Sequence, residues 1–316
     1  MTDRDVIAVL ATMSDADRER ARAAAPDAEL LFATKLTDVE DRLADLTGLA
    51  GALPAEALAR TERLRWVHTW AAGPDAALYP EMIDSPVVLT SSVGNGAIPL
   101  AEQSMMFMIM LNRDARRWLR AQQDHRWDRF THPELNGQTL GIIGLGHSGA
   151  DLALKAQAFH MRVLGMRRNP DRQVDVVDRM YRPDQLHEFL AECDVVVVTA
   201  PATVETRGMF DERAFRAMKP SAHWICISRG GIADDDALLR ALREGWIAGA
   251  GIDAHGEEPL PADSPFWDLE NVIVTPHNGA TTGATAQRGV DYFIENLGRF
   301  VEGRPLINVV DKAAGY

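Results

Sequence analysis

Arg229, Glu258 and His277 each follow a short apolar run that reads as a β-strand. They lie in Ile227-Ser228-Arg229-Gly230-Gly231, in Gly251-Ile252-Asp253-Ala254-His255-Gly256-Glu257-Glu258-Pro259-Leu260, and in Val274-Thr275-Pro276-His277-Asn278-Gly279. A guanidinium fork matches a carboxylate and can polarise a ketone. An imidazole titrates near neutrality and suits proton donation. A carboxylate beside that imidazole orients it and favours its charged form. Together these are the groups needed to reduce a 2-oxo acid, with Arg229 on the substrate, His277 as proton donor and Glu258 as its partner. Singly, each has a structural alternative: a helix cap, a loop carboxylate before proline, a satisfied buried histidine. Three of them at consecutive strand ends, downstream of a dinucleotide loop, favour the chemical reading.

That loop is Thr139-Leu140-Gly141-Ile142-Ile143-Gly144-Leu145-Gly146-His147-Ser148-Gly149, a strand running through G-x-G-x-x-G into a helix. Gly144 makes the tight turn, Gly146 lets backbone approach a pyrophosphate, and Gly149 lets helix and strand pack closely. The helix N-terminus, with His147 and Ser148, faces the phosphates with free amides and a positive dipole end. The next strand ends in Met166-Arg167-Arg168, where an NAD site would carry an acidic residue for the ribose hydroxyls. Arg167 and Arg168 instead suit a 2′-phosphate, so NADP is the expected cofactor and NAD the lesser alternative. No cluster with metal-ligand spacing is visible, and no metal is expected.

These residues need a scaffold of parallel strands. Apolar runs at 6–11, 29–33, 48–53, 66–70 and 87–91 alternate with helical spacing at 15–25, 38–46 and 55–64. A long helix is expected over 99–123, carrying Met105, Met106, Met108 and Met110, which reads first as packing surface. After a polar stretch at 124–137, strands follow at 139–143, 162–166, 195–200, 222–228, 247–252 and 272–275. Helices are expected at 148–159, 234–245 and 281–301. Such alternation specifies α/β architecture with parallel sheets covered on both faces. The expected fold is two doubly wound domains, a Rossmann cofactor domain over 99–283 inserted in a flavodoxin-like substrate domain formed by 1–98 and 284–316.

The bulk composition agrees with an enzyme of this kind. A length of 316 residues favours two domains, and a formal net charge of −13 disfavours nucleic acid and anionic membrane as partners. The two cysteines, Cys193 and Cys226, form neither a disulfide framework nor a zinc spacing. With no leader-like N-terminus and no apolar run of spanning length, a cytoplasmic location is expected.

The chain resembles the D-isomer-specific 2-hydroxyacid dehydrogenase family over roughly residues 66–308. The resemblance is carried by Glu134-Leu135-Asn136-Gly137 leading into the glycine loop, by Asp194 to Thr206 and by Ser228-Arg229-Gly230 with 237–242. It continues through Gly249 to Asp253, Glu258-Pro259-Leu260-Pro261, and Asn271 to His277. It implies an active site in a cleft between two domains, hinge motion on cofactor binding, a homodimer, and reduction of an acid such as glyoxylate or hydroxypyruvate to the D-hydroxy acid. It also places the proton donor on His277, its partner on Glu258 and the substrate arginine on Arg229. It implies that Asp253 contacts the nicotinamide carboxamide, that Ala72 and Gly73 hold the substrate carboxylate through backbone amides, and that Pro201 and Thr206 pass beneath the adenosine and nicotinamide ribose. Ile227 and Gly279 join the expected cofactor contacts, and Trp70 is expected to wall the substrate pocket. His147-Ser148, Arg167-Arg168 and the stretch from Asp253 to Glu257 depart from the usual pattern, which mostly carries an aromatic residue near His255. Two alternatives keep the fold: a dehydrogenase of another small acid such as formate or phosphite, and a dinucleotide-sensing binding protein.

Overall fold

The computed structural model describes residues 4–169 and 174–316. The first stretch carries strands β1 (Val6–Leu10), β2 (Glu29–Ala33), β3 (Gly48–Ala50), β4 (Trp66–Thr69) and β5 (Val88–Ser91), with helices α1 (Asp15–Ala24), α2 (Ala55–Leu58) and α3 (Pro80–Asp84) between them. Helices α4 (Ala97–Asn112) and α5 (Ala115–Gln123) follow. Then come β6 (Thr139–Ile143), α6 (His147–Ala158), β7 (Arg162–Met166), β8 (Arg179–Tyr181), α7 (Leu186–Glu192), β9 (Val195–Val198), α8 (Glu212–Ala217), β10 (His223–Cys226), α9 (Asp235–Arg243), β11 (Gly249–Ile252) and β12 (Val272–Val274). The last helix is α10 (Gly283–Val301).

Residues Met1–Asn95 and Thr282–Tyr316 form one compact unit, and Gly96–Thr281 form the other. The first holds a five-stranded parallel sheet of order β2-β1-β3-β4-β5. Period-2 alternation along β1 sends Val6 and Ala8 to one face and Ile7 and Val9 to the other. Val39, Leu43 and Leu46 cover the first face, and Phe293 and Leu297 of α10 cover the second. Ser14 caps α1 by accepting the Asp17 amide (3.1 Å), and Arg20 then joins α1 to Asp291 of α10 at 2.8 Å.

The second unit holds a seven-stranded parallel sheet of order β12-β11-β10-β9-β6-β7-β8. Its central strands are apolar throughout because both faces are covered: Val195 and Val197 face one cluster, Val196 and Val198 the other. Strand order reverses between β6 and β9, so the loops beyond their carboxyl ends part there and leave a crevice.

Three local expectations need correction. The single helix over 99–123 is two helices, because Asp114 adopts φ 47° and its carboxylate caps α5 at the Arg117 amide. The span 38–46 is a 3₁₀ helix over Leu36–Asp45 with a non-helical break at Val39. The helix over 55–64 stops at Leu58, whose carbonyl accepts the Thr61 hydroxyl at 2.7 Å. The short elements α3, β8, α7 and α8 lie where no period was long enough to read.

Candidate active site

The glycine loop joins β6 to α6. Gly144 adopts φ +95°, and a Cβ there would lie 2.6 Å from the Ala200 amide nitrogen. A Cβ on Gly149 would lie 2.1 Å from the Gly144 carbonyl oxygen, so strand and helix touch at that point. Around Gly146 no described residue other than its chain neighbours comes within 4 Å of where a Cβ would stand. Gly146 caps α6 without a side chain, and the first helical bond is Ala150 N–H to Gly146 O at 3.0 Å. The amides of His147, Ser148 and Gly149 therefore open the helix, with the His147 side chain exposed and Ser148 half-buried. An open cradle at Gly146 beneath a helix N-terminus fits a pyrophosphate.

Two further strand ends flank this loop. Arg167 and Arg168 leave β7, and Arg168 lies 3.5 Å from Glu205. Glu205 belongs to the turn after β9, which Thr206 organises: its hydroxyl donates to Pro201 O (2.7 Å) and accepts the Thr203 amide (2.7 Å). Pro201 is exposed there and Thr206 half-buried. The Thr203 hydroxyl, the backbone amide of Glu205 itself and Arg168 hold the Glu205 carboxyl below its usual range.

The ends of β10, β11 and β12 carry the polar triad. Arg229 is half-buried and its guanidinium donates to Ser228 O at 2.7 Å. Glu258 and His277 meet directly: the imidazole Nδ1 lies 2.9 and 2.8 Å from the two carboxylate oxygens. Burial pushes the Glu258 carboxyl up, but the His255 amide and the His277 ring together outweigh it, and the group sits below the usual carboxylate range. Because Nδ1 is committed to Glu258, Nε2 is the ring nitrogen left to face a substrate.

Asp253 is fully buried and holds the His277 loop from beneath. Its Oδ1 accepts the Thr275 hydroxyl (2.6 Å) and the Asn278 amide (3.1 Å), and its Oδ2 accepts the Gly279 amide (3.0 Å). Gln103 of α4 donates to the Thr275 hydroxyl oxygen at 3.0 Å. Sequence reasoning missed this clamp, since Gln103 and Thr275 are far apart along the chain. Ile227, 2% exposed, packs its side chain into the core of the cofactor unit.

In the other unit, Ala72 is exposed and Gly73 half-buried in the loop after β4. Trp70 donates its indole N–H to Leu10 O (3.2 Å) and packs against Phe293 at 5.2 Å between ring centroids. Its neighbour His68 is buried between the hydroxyls of Thr90 (2.9 Å) and Ser92 (3.3 Å), and burial lowers its pKa to about 4. Among the described residues no group of three or more His, Cys, Asp and Glu could hold a metal ion, and no helix is long and apolar enough to cross a membrane.

Residues 105–279 match the family model for the D-isomer specific 2-hydroxyacid dehydrogenase NAD binding domain. A glyoxylate reductase of Pyrococcus furiosus is 33% identical over 287 residues, covering 88% of this chain and 84% of that protein. The solved NADPH-dependent glyoxylate/hydroxypyruvate reductase of Sinorhizobium meliloti, in complex with NADP and sulfate, superposes with a TM-score of 0.85 at 30% identity, covering 99% of this chain and 100% of the other. A D-isomer specific 2-hydroxyacid dehydrogenase of Xanthobacter autotrophicus in complex with NADPH gives 0.86 at 29% identity with complete coverage of both chains. On sequence and structure together, this chain belongs to the D-isomer specific 2-hydroxyacid dehydrogenase family.

Proposed function

We propose that the protein reduces small 2-oxo acids, glyoxylate and hydroxypyruvate foremost, to the D-2-hydroxy acids, with NADPH preferred over NADH. The observation that carries the reading is the His277–Glu258 pair, a proton donor held through one ring nitrogen with the other left for a substrate. The glyoxylate reductase names of the relatives and the NADP complexes among the structural neighbours support it.

The cofactor would lie along the carboxyl edge of the seven-stranded sheet. Gly144, Gly146, His147, Ser148 and Gly149 would receive the pyrophosphate, Arg167 and Arg168 the 2′-phosphate, and the Pro201–Thr206 turn and the strand ends at Ile227, Asp253 and Gly279 the remainder. When bound it supplies a hydride to the carbonyl carbon. Arg229 grips the substrate carboxylate and draws charge toward the carbonyl oxygen. His277 gives the Nε2 proton to that oxygen as the C–O bond becomes an alcohol. Glu258 stays ionised at neutral pH, in keeping with its lowered pKa, and stabilises the imidazolium before the transfer.

A homodimer is part of the proposal, supported by exposed Met106 and Ile109 on α4 and Trp118 and Leu119 on α5. So is a cytoplasmic location, supported by two buried, unbridged cysteines. The test is oxidation of NADPH and, separately, NADH by the purified protein against glyoxylate, hydroxypyruvate, pyruvate and phenylpyruvate. Turnover of the small acids with NADPH well above NADH is expected. Tight NADPH binding without turnover of any 2-oxo acid would sink the reductase reading.

A further inference from the structure

His255 occupies an unusual place among these loops. It follows β11 by three residues and is 8% exposed. Its backbone N–H donates to Glu258 Oε1 at 2.8 Å, the same oxygen that lies 2.9 Å from His277 Nδ1. Its ring Nε2 lies 2.9 Å from the Thr275 carbonyl oxygen. A carbonyl only accepts, so that nitrogen carries the proton and donates. The same carbonyl also accepts the backbone N–H of His277 at 3.1 Å. One residue therefore shares two acceptors with His277: Glu258 Oε1 through its main chain and Thr275 O through its side chain.

The His277 backbone gives this tether a task. His277 adopts φ 49°, a left-handed conformation that a non-glycine residue holds only when its surroundings impose it. Asp253 fixes the loop on the far side of His277, through Asn278 and Gly279. On the near side, the bond from the His255 ring fixes the Thr275 carbonyl about which the turn closes. The arginine loop meets the same residue: a Cβ on Gly230 would lie 1.7 Å from the His255 carbonyl oxygen. Three strand-end loops thus converge on residue 255.

We propose that His255 is a positioning residue that sets the register of Glu258 against His277 by tying the two loops that carry them. The inference rests on the reading of His277 and Glu258 as the proton-donating pair. An aromatic ring at this position would fill the space but could not donate to Thr275 O. A side-chain amide of the right reach could.

The test compares His255→Phe, His255→Asn and His255→Gln in the full chain. It reads kcat and KM for glyoxylate at saturating NADPH, thermal stability, and the Cε1–H resonance of His277 at fixed pH. His255→Phe should lower kcat by about 10- to 100-fold, the cost of a small misplacement of a reacting group, with KM for glyoxylate within about twofold. His255→Gln, whose amide nitrogen can take the place of Nε2, should recover kcat to within about threefold of the parent, since it restores the same donor. His255→Asn, too short to reach Thr275 O, should behave as His255→Phe and carries the test if the phenylalanine variant does not fold. The His277 resonance should move in the Phe and Asn variants and stay in the Gln variant. Parent-like kcat with an unmoved resonance in a folded Phe or Asn variant overturns the proposal, as does equal loss in Gln and Asn. Should the parent turn over no 2-oxo acid, the reductase reading fails, while the His277 resonance still decides the positioning role.

Discussion

The two ends of the cofactor edge are built on opposite principles. At the ends of β10, β11 and β12, Asp253 is fully buried, Arg229 is half-buried, and the exposed Glu258 and His277 are locked to each other. Asp253 accepts three, and Glu258 answers both the His277 ring and a backbone amide. At the ends of β7 and β9 the charges of Arg168 and Glu205 stand in solvent on long side chains, 3.5 Å apart. The difference follows from what each end must do. Proton and hydride transfer tolerate little misplacement, so the geometry is fixed before substrate arrives. Telling one ribose substituent from another needs only a difference in charge, which arginines supply. Substitutions at the rigid end should therefore act on rate, and substitutions at the exposed end on cofactor affinity.

The largest effect expected from that division is at His277. His277→Ala removes the proton donor, and kcat should fall by about 10²- to 10⁴-fold, the usual worth of a positioned acid. NADPH affinity by fluorescence titration should stay within about twofold, because the side chain bonds to the Glu258 carboxylate. A large loss of NADPH affinity would erase the line between the two ends, and near-normal turnover would remove His277 from the chemistry.

Much of the rigid end was legible in the sequence because each of its residues follows an apolar strand, and a strand end is a place in the fold. Gly144 and Gly149 were legible for a different reason: their missing side chains answer to close backbone contacts that a βαβ turn always makes. The tethers were not. Gln103 reaches Thr275 across 172 residues, and no local pattern signals such a pairing. His255 stood out as a departure from the family pattern, yet only the fold shows that its ring meets the Thr275 carbonyl. Asp253, read by resemblance as a nicotinamide contact, spends three of its bonds on the loop that follows β12. Trp70, read as a pocket wall, has its indole N–H on Leu10 O. The break at Asp114 escaped the helical spacing because a single left-handed residue changes the helix axis without disturbing the apolar count.

At the exposed end the effect should be smaller and confined to one cofactor. Replacing Arg167 by Asp and Arg168 by Ser removes two positive charges and supplies a carboxylate for a free ribose hydroxyl pair. NADPH should bind about 10- to 100-fold more weakly, as expected for losing charge-assisted bonds to a phosphate, while NADH binding is unchanged or improved. Saturating kcat should stay close to that of the parent, measured with whichever cofactor still binds. Equal weakening of both cofactors would show that these arginines hold the loop and not the 2′-phosphate.

The smallest effect should come from Glu205, and it isolates the charge at that end. Glu205 lies beside Arg168, and the Thr203 hydroxyl holds its carboxylate at 2.6 Å, so a phosphate on Arg168 would meet a fixed negative neighbour. Glu205→Gln keeps an acceptor for the Thr203 hydroxyl and removes the charge. NADPH should bind about two- to threefold more tightly at low salt, the modest scale of an exposed charge pair, with NADH unaffected. At about 500 mM salt, where the screening length is only a few ångströms, the gain should vanish. A change that persists at high salt, or that appears equally with NADH, would mean that Glu205 acts through the shape of the Pro201–Thr206 turn. Selectivity at this end would then rest on loop geometry, as rate does at the other.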